Sequence, residues 1–242
     1  MKKYKDYLVS YLKDYNKNFN GYILGLSGGL DSAVAALLAQ EAVSDVLVVI
    51  INIASTEKDL KDARNFVKDF KLRFLEINLT DEYNALVQNL ESHMPLNELA
   101  KINLKARLRM VTLYSLGQTE NKLILGTDNL AEIYTGYFTK YGDGAADLYV
   151  LSELTKTEVY ELASLLSVPA YITSKVPSAG LYDTQTDEDE IGVTYALLDA
   201  FLRGEKIEAT AEKRILHLHN ISVHKREKIT RPKRYKEGRD GT

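Results

Sequence analysis

Gly25-Leu26-Ser27-Gly28-Gly29-Leu30-Asp31-Ser32 follows a short apolar run and precedes a stretch rich in Ala and Leu. That order reads as strand, glycine turn and helix, which together make an anion cradle. Gly28 and Gly29 let backbone N–H groups come close to a phosphate. Ser27 and Ser32 add hydroxyl donors, and the helix that follows presents the positive end of its dipole. Spacing sets aside the two common nucleotide loops. A Walker A loop needs a Lys before its last Ser or Thr, where this chain has Asp31, and glycines at 25, 28 and 29 do not fit GxGxxG. An acid beside bound phosphates is repulsive unless a divalent cation lies between them, so Asp31 points to a bridging magnesium. The plainer alternative is that Asp31 only caps the helix.

A cradle of this kind needs a scaffold, and the hydrophobic pattern supplies one. Tyr4, Tyr7, Leu8, Tyr11, Leu12 and Tyr15 recur at helical spacing, predicting an amphipathic helix over 3–15. Strands are predicted at 22–26, 45–53, 72–79 and 122–126, and helices at 32–43, 57–69, 82–90, 97–116, 155–166, 187–202 and 209–218. The 45–53 run is β-branched and almost continuously apolar, the pattern of a parallel strand covered on both faces and never of an exposed edge. Alternating βα units predict an α/β fold, a doubly wound parallel sheet with helices on both faces. Ligands in such folds lie outside the carboxyl ends of the strands. Segments 134–147 and 168–186 read as long loops, which in a compact domain are functional or disordered.

Composition narrows the classes. The chain has 242 residues, 45% of them hydrophobic, with 31 Lys+Arg against 34 Asp+Glu for a net charge of −3. A single domain over 1–242 is expected. The longest strongly apolar run, 46–54, contains Asn52 and falls far short of the roughly 20 residues a membrane span needs. The first residues lack the apolar core of a secretory signal, so no membrane partner and a cytoplasmic location are expected. Having no cysteine excludes disulfide scaffolds, thiolate metal sites and thiol or persulfide chemistry. The slightly acidic total argues against an obligate nucleic-acid partner. The end of the chain is nevertheless basic, with Lys225, Arg226, Lys228, Arg231, Lys233, Arg234, Lys236 and Arg239, and is expected to be flexible from about residue 233.

SGGLDS after a strand resembles the pyrophosphate loop of the ATP pyrophosphatases, which cleave ATP between the α- and β-phosphates to adenylate an oxygen acceptor. Three further segments narrow the resemblance: NLKARLRM at 103–110, GTDNLAEIYTGYFTKYGDGAADLYVLSELTK at 126–156, and PSAGLYDTQTDEDEIG at 177–192. Together with His224-Lys225-Arg226 they are similar to the ammonia-dependent NAD synthetases, in order and over nearly the whole chain. The resemblance implies an adenine nucleotide alpha-hydrolase-like, Rossmann-like fold. It also implies a C–N ligase that adenylates deamido-NAD with ATP and Mg2+ and lets ammonia displace AMP, working as a homodimer.

Carried over residue by residue, the resemblance gives ATP contacts to Gly25, Leu26, Ser27, Gly28, Gly29, Leu30, Asp31, Ser32, Thr127, Lys156 and Ser178, and magnesium to Asp31 and Glu132. Lys156 suits the developing pyrophosphate charge. Thr155 and Glu158 stand at capping-box spacing around it, so a helix N-terminus would aim the site. Arg107, Tyr137, Phe138, Lys140, Asp143, Asp147, Glu190, His224 and Lys225 would meet deamido-NAD, and Asp143 would attract ammonium or accept its proton. For Tyr137 and Phe138 ordinary packing is an equal alternative, and Glu190 could be only a capping acid. Lys175, Pro177 and Asp187 would belong to a loop closing over ATP. With no cysteine for a glutaminase, free ammonia is the expected nitrogen source. The rivals are a tRNA-modifying relative of the lysidine-synthetase type and a catalytically inert nucleotide sensor.

Overall fold

A computed structural model describes residues 1–177 and 186–234. Five strands, β1 (Tyr22–Gly25), β2 (Val46–Asn52), β3 (Arg73–Asn78), β4 (Leu123–Gly126) and β5 (Leu148–Tyr149), form one sheet in the order β3-β2-β1-β4-β5, and every pairing is parallel. Around it lie α1 (Lys2–Tyr15), α2 (Leu30–Ala42), α3 (Glu57–Asp69), α4 (Thr80–Glu91), α5 (Glu98–Glu120) and α6 (Leu130–Thr135). The later helices are α7 (Lys156–Leu165), α8 (Ala170–Thr173), α9 (Asp187–Ile191), α10 (Tyr195–Leu202), α11 (Ala209–Ile221) and α12 (Val223–Arg226). This is the expected doubly wound, Rossmann-like arrangement. No helix among the described residues is long and apolar enough to cross a membrane.

Successive side chains of a strand point to opposite faces, and the core divides accordingly. Leu24, Val48, Ile50 and Leu125 join Leu12 of α1, Ala35 and Leu38 of α2, Phe66 of α3 and Leu162 of α7 on one face. Ile23, Leu47, Val49, Ile51 and Ile124 join Tyr83 of α4 and Met110 and Leu113 of α5 on the other. β2 is therefore apolar at nearly every position because it is covered on both sides. A third apolar cluster, with Ala131, Ile191, Tyr195, Leu198 and Ile215, packs α6, α9, α10 and α11 together beside the carboxyl edge of the sheet.

The differences from the sequence-based expectation have local causes. β5 is too short to show a period, and Asp147 holds it: the Ile124 N–H donates to Asp147 Oδ2 at 2.8 Å, and the Asp147 N–H donates to the Ile124 carbonyl at 3.0 Å. α8 is a single turn inside the segment 168–186 read as loop, and α6 fills the unassigned stretch after β4, overlapping the loop read over 134–147 only at its last two residues. The helix expected over 187–202 is broken at Gly192, whose φ of +77° ends α9 before the Thr194 hydroxyl starts α10 by accepting from the Leu197 N–H. α5 runs on through Gly117 to Glu120. Glycine marks a close approach there rather than an end, since a Cβ at 117 would stand 2.7 Å from Ile124 Cδ1 and 3.1 Å from Ile23 Cγ2.

Gly117→Val should therefore push α5 off β1 and β4 and lower unfolding stability by about 1–3 kcal/mol. Urea denaturation measures it, and an unchanged midpoint would show that the contact yields freely.

Candidate active site

The sheet reverses its winding between β1 and β4, and the connections leaving both strands at their carboxyl ends face one crevice. The first is the glycine loop. Its hydroxyls are satisfied internally: the Ser27 N–H donates to Ser32 Oγ at 3.3 Å, Ser32 Oγ–H donates to the Gly29 carbonyl at 3.1 Å, and the Gly29 N–H donates to Ser27 Oγ at 3.2 Å. Gly28 has φ +78°, and a Cβ there would lie 2.6 Å from the Asp59 carbonyl, so α3 backs directly onto the loop. Lys175 closes the same corner, its ammonium 3.0 Å from the Gly28 carbonyl, 2.6 Å from Asp59 and 2.9 Å from Asp62.

Asp31 does not cap α2. The N-cap is Gly29, with no side-chain cap, so the first-turn N–H groups of α2 keep their donors for another acceptor. Asp31 is instead held by two groups from other elements. Asn129 Nδ2 donates to Asp31 Oδ1 at 3.1 Å, and Lys156 Nζ donates to Asp31 Oδ2 at 2.5 Å. Glu132 Oε1 lies 4.0 Å from the same ammonium.

Local structure fixes all three partners. Asn129 and Glu132 form the complete capping box of α6, and Thr155 and Glu158 that of α7, of which Lys156 is the first residue. Lys156 is far from a solvated surface lysine, being only 4% exposed. Burial alone would lower its pKa, but Asp31 and Glu132 more than offset this and hold it raised. Burial, and then the Asp31 charge, push Glu132 up to about 8. One lysine does not neutralise these acids, a deficit of positive charge that suits a hard cation. Among the described residues no group of three or more Asp, Glu, His or Cys converges as a metal site, so a cation there would need ligand oxygens from the phosphates.

A second cluster sits beside the first. Tyr137 OH donates to Glu190 Oε2 at 2.9 Å and to Asp187 Oδ1 at 3.2 Å. Glu190 thus has a partner outside its helix, and the acid that completes the α9 capping box is Asp189. Phe138 is buried beneath Lys225, whose ammonium lies 5.3 Å from the ring centre and donates to the Gly136 and Phe138 carbonyls at 2.7 Å each. Asp143 accepts from the Thr139 N–H at 3.2 Å, and burial raises its pKa. Arg107 donates to the Lys140 carbonyl at 3.3 Å, and Lys140 Nζ donates to the His224 carbonyl, so His224 enters through its main chain. Asp147 stands apart as the β4–β5 staple. Thr127 lies between Gly126 and Asp128 at the end of β4, and Ser178 lies outside the described residues.

Several site residues escaped the sequence reading. Asp199 of α10, 1% exposed, accepts from the Lys156 N–H at 3.2 Å and from the Thr157 N–H at 2.8 Å, capping α7 from another helix. Tyr195 places its ring 5.1 Å from Lys156 Nζ and donates its hydroxyl to Asp187 Oδ2 at 3.2 Å. Asp187, buried and raised by that burial, therefore touches a tyrosine from each cluster. Only the capping-box spacing of Asn129 and Glu132 carried a sequence signal.

A parallel sheet with a glycine loop and a lysine–dicarboxylate knot at its winding reversal defines a nucleotide-binding α/β protein. The chain belongs to the NAD synthase family, whose profile matches residues 1–238. It is 42% identical over 240 residues to the NH3-dependent NAD+ synthetase of Mesoplasma florum, covering 98% of each chain. Among solved structures, the NMN synthetase of Francisella tularensis superposes with TM-score 0.92 at 42% identity, covering 96% of this chain and 98% of the other. The NH3-dependent NAD synthetase of Campylobacter jejuni does so with TM-score 0.80 at 25% identity and the same coverage. A tRNA-modifying role is not favoured by these likenesses.

Two outcomes follow. The native state holds the Glu132 proton up to about pH 8, whereas the unfolded chain releases it near the ordinary glutamate value. Native protein then binds more protons across that interval, so stability falls as pH rises through it. Glu132→Gln should remove this slope and stabilise the ligand-free protein above about pH 8 by about 1–3 kcal/mol, read from denaturation midpoints across the interval. Parallel slopes in variant and wild type would refute it. Asp199→Ala, by stripping the start of α7, should cost about 1–3 kcal/mol and loosen Lys156; amide hydrogen exchange at 156–159 measures the loosening.

Proposed function

We propose that the protein is an ammonia-dependent NAD synthetase. ATP transfers its adenylyl group to the nicotinate carboxylate of deamido-NAD, forming an acyl-adenylate and releasing pyrophosphate. Ammonia then attacks the activated carbonyl, AMP leaves with the bonding pair, and a proton is lost as the amide forms. The observation that carries this reading is the Asp31–Lys156–Glu132 knot beside the glycine loop, in a chain of this family.

Gly25 to Ser32, Thr127, Lys156 and Ser178 are assigned to ATP. The free N–H groups of α2 and the Lys156 ammonium meet the charge that builds on the departing pyrophosphate. Asp31 and Glu132 would hold magnesium, which supplies charge neutralisation across the phosphates. Arg107, Tyr137, Phe138, Lys140, Asp143, Asp147, Glu190, His224 and Lys225 are assigned to the deamido nucleotide. Phe138 and Lys225 support the loop that carries the others, and Asp143 stands ready to take a proton from ammonium, because the nucleophile must be neutral. The exposed apolar side chains Met94, Leu99 and Val111 on and before α5 suit burial against a second copy, in a homodimer.

A second reading concerns the acceptor. The Francisella protein is described as an NMN synthetase and fits this chain more closely than the Campylobacter NAD synthetase, at 0.92 against 0.80 in TM-score. On this reading the acceptor of the present protein is the mononucleotide counterpart of deamido-NAD, adenylated and amidated by the same steps.

The purified protein with ATP, magnesium and ammonium should convert deamido-NAD to NAD with stoichiometric AMP and pyrophosphate, and glutamine should not replace ammonium. A parallel assay with nicotinate mononucleotide decides between acceptors: a higher kcat/KM there gives the second reading. Lys156→Met should lower pyrophosphate release by about 10²–10³-fold, and because it leaves the Asp31 charge without its partner it should also lower the Tm, which is measured alongside. Full activity in that variant would remove Lys156 from the chemistry.

A further inference from the structure

A row of three side chains joins the acceptor cluster to the phosphate lysine, and one proton in it has two claimants. The Tyr137 hydroxyl carries a single hydrogen but stands 2.9 Å from Glu190 Oε2 and 3.2 Å from Asp187 Oδ1. The shorter distance gives that proton to Glu190 in the empty protein, and Asp187 Oδ1 has no other donor among the described residues. Asp187 Oδ2 accepts from the Tyr195 hydroxyl at 3.2 Å, and the Tyr195 ring lies 5.1 Å from Lys156 Nζ. Asp187 is 5% exposed, so bulk solvent is no substitute for a missing phenol.

The carboxylate is fixed where it stands. The Asp187 N–H donates to the Pro177 carbonyl at 3.1 Å, Glu188 Oε1 accepts from the Tyr195 N–H at 2.7 Å, and Arg214 Nε donates to the Ile191 carbonyl at 2.8 Å at the far end of α9. α9 is thus a block held at both ends between the two clusters, and a change at either phenol is felt by Asp187. The Glu190 end is open. Tyr137 and Glu190 line a cavity of about 190 Å³ with Ile191, Leu218, Ser222 and Lys225, so a hydroxyl of a bound molecule can reach the Glu190 carboxylate there. A donor arriving at Glu190 releases the Tyr137 proton to Asp187. Both Asp187 oxygens are then met by phenols, and Tyr195 is held with its ring against the buried Lys156 ammonium, where a desolvated cation gains most from it.

We propose that Asp187 is a positioning residue that couples the two substrates: an acceptor nucleotide donating to Glu190 shifts the Tyr137 proton to Asp187, which seats Tyr195 against Lys156 and tightens the ATP site. This inference rests on the amidation reading and deepens it. Neither Asp187 nor Tyr195 needs to touch a substrate to act in this way. Because the coupling is a free energy shared by two sites, ATP must tighten the acceptor by the factor with which the acceptor tightens ATP.

The test uses the full chain with magnesium and α,β-methylene-ATP, which keeps the charge of ATP but resists cleavage between its α- and β-phosphorus atoms. The analogue is titrated calorimetrically alone, with saturating deamido-NAD, and with saturating nicotinate mononucleotide. In wild type, whichever acceptor binds should tighten the analogue about fivefold or more, and the reverse titration should return the same factor. Tyr137→Phe and Tyr195→Phe each delete one hydroxyl and keep the ring, and in each the factor should fall to about twofold or less. The double variant should lose no more than either single one, since both interrupt the same row. The readout is this factor rather than either affinity, so tyrosines with a merely structural role would lower Tm or weaken both ligands and leave the factor in place. No tightening in wild type, or a wild-type factor retained in both variants, would overturn the inference while acceptor binding leaves the amidation reading standing. Binding of neither acceptor would overturn that reading and the coupling together.

Discussion

The ion pair between Lys156 and Asp31 is the contact on which the site's geometry hangs. Its two residues come from opposite sides of the winding reversal, 125 positions apart in sequence. A buried ammonium is tolerable only when its charge is met, and removing either partner would strand the other. The pair therefore constrains everything that aims it. α2 must start at Gly29 so that Asp31 lies in the first turn, α7 must start at Thr155 so that Lys156 lies at its tip, and Asn129 must leave β4 in reach of Asp31. Asp199 makes the arrangement rigid by closing α7 from behind.

Charge balance explains why the rest of the crevice looks as it does. Acids outnumber the cations that face them, and burial raises Asp128, Glu132, Asp143 and Asp187 together. Such a surplus lowers the stability of the empty protein, and it fits substrates that arrive with metal or carry positive charge themselves. Stability and activity compete at these positions, which is a common condition of active sites.

How much of this was legible in the sequence depended on whether a residue's task was local. Strand β2 announced itself because burial on both faces leaves an unbroken apolar run. Lys156 was legible in part because it stands beside the Thr155–Glu158 capping box, a pattern of short span, whereas Glu132 came from the family resemblance alone and its own capping box with Asn129 showed only in the structure. The glycine loop was legible because its function lies in consecutive backbone groups. Asp199 was not, because it caps a helix 42 and 43 residues away and looks in sequence like any acid on an amphipathic helix. β5 and the break at Gly192 were missed because two-residue strands and single left-handed residues lie below the reach of periodicity.

The hydroxyls of Ser27 and Ser32 bond to each other's loop in the empty protein, and Lys175 holds the Gly28 carbonyl from outside. The cradle is thus already shaped before anything enters it. A phosphate docking there, as proposed, would not organise a floppy segment. It would swap partners, replacing serine–serine and serine–carbonyl bonds with bonds of its own. Affinity in such a site reflects the difference between two sets of satisfied groups, so tight binding requires charge that a neutral hydroxyl cannot match. Neutral mimics of equal shape gain little from the trade, and discrimination in favour of anions arises from the resting state of the loop itself.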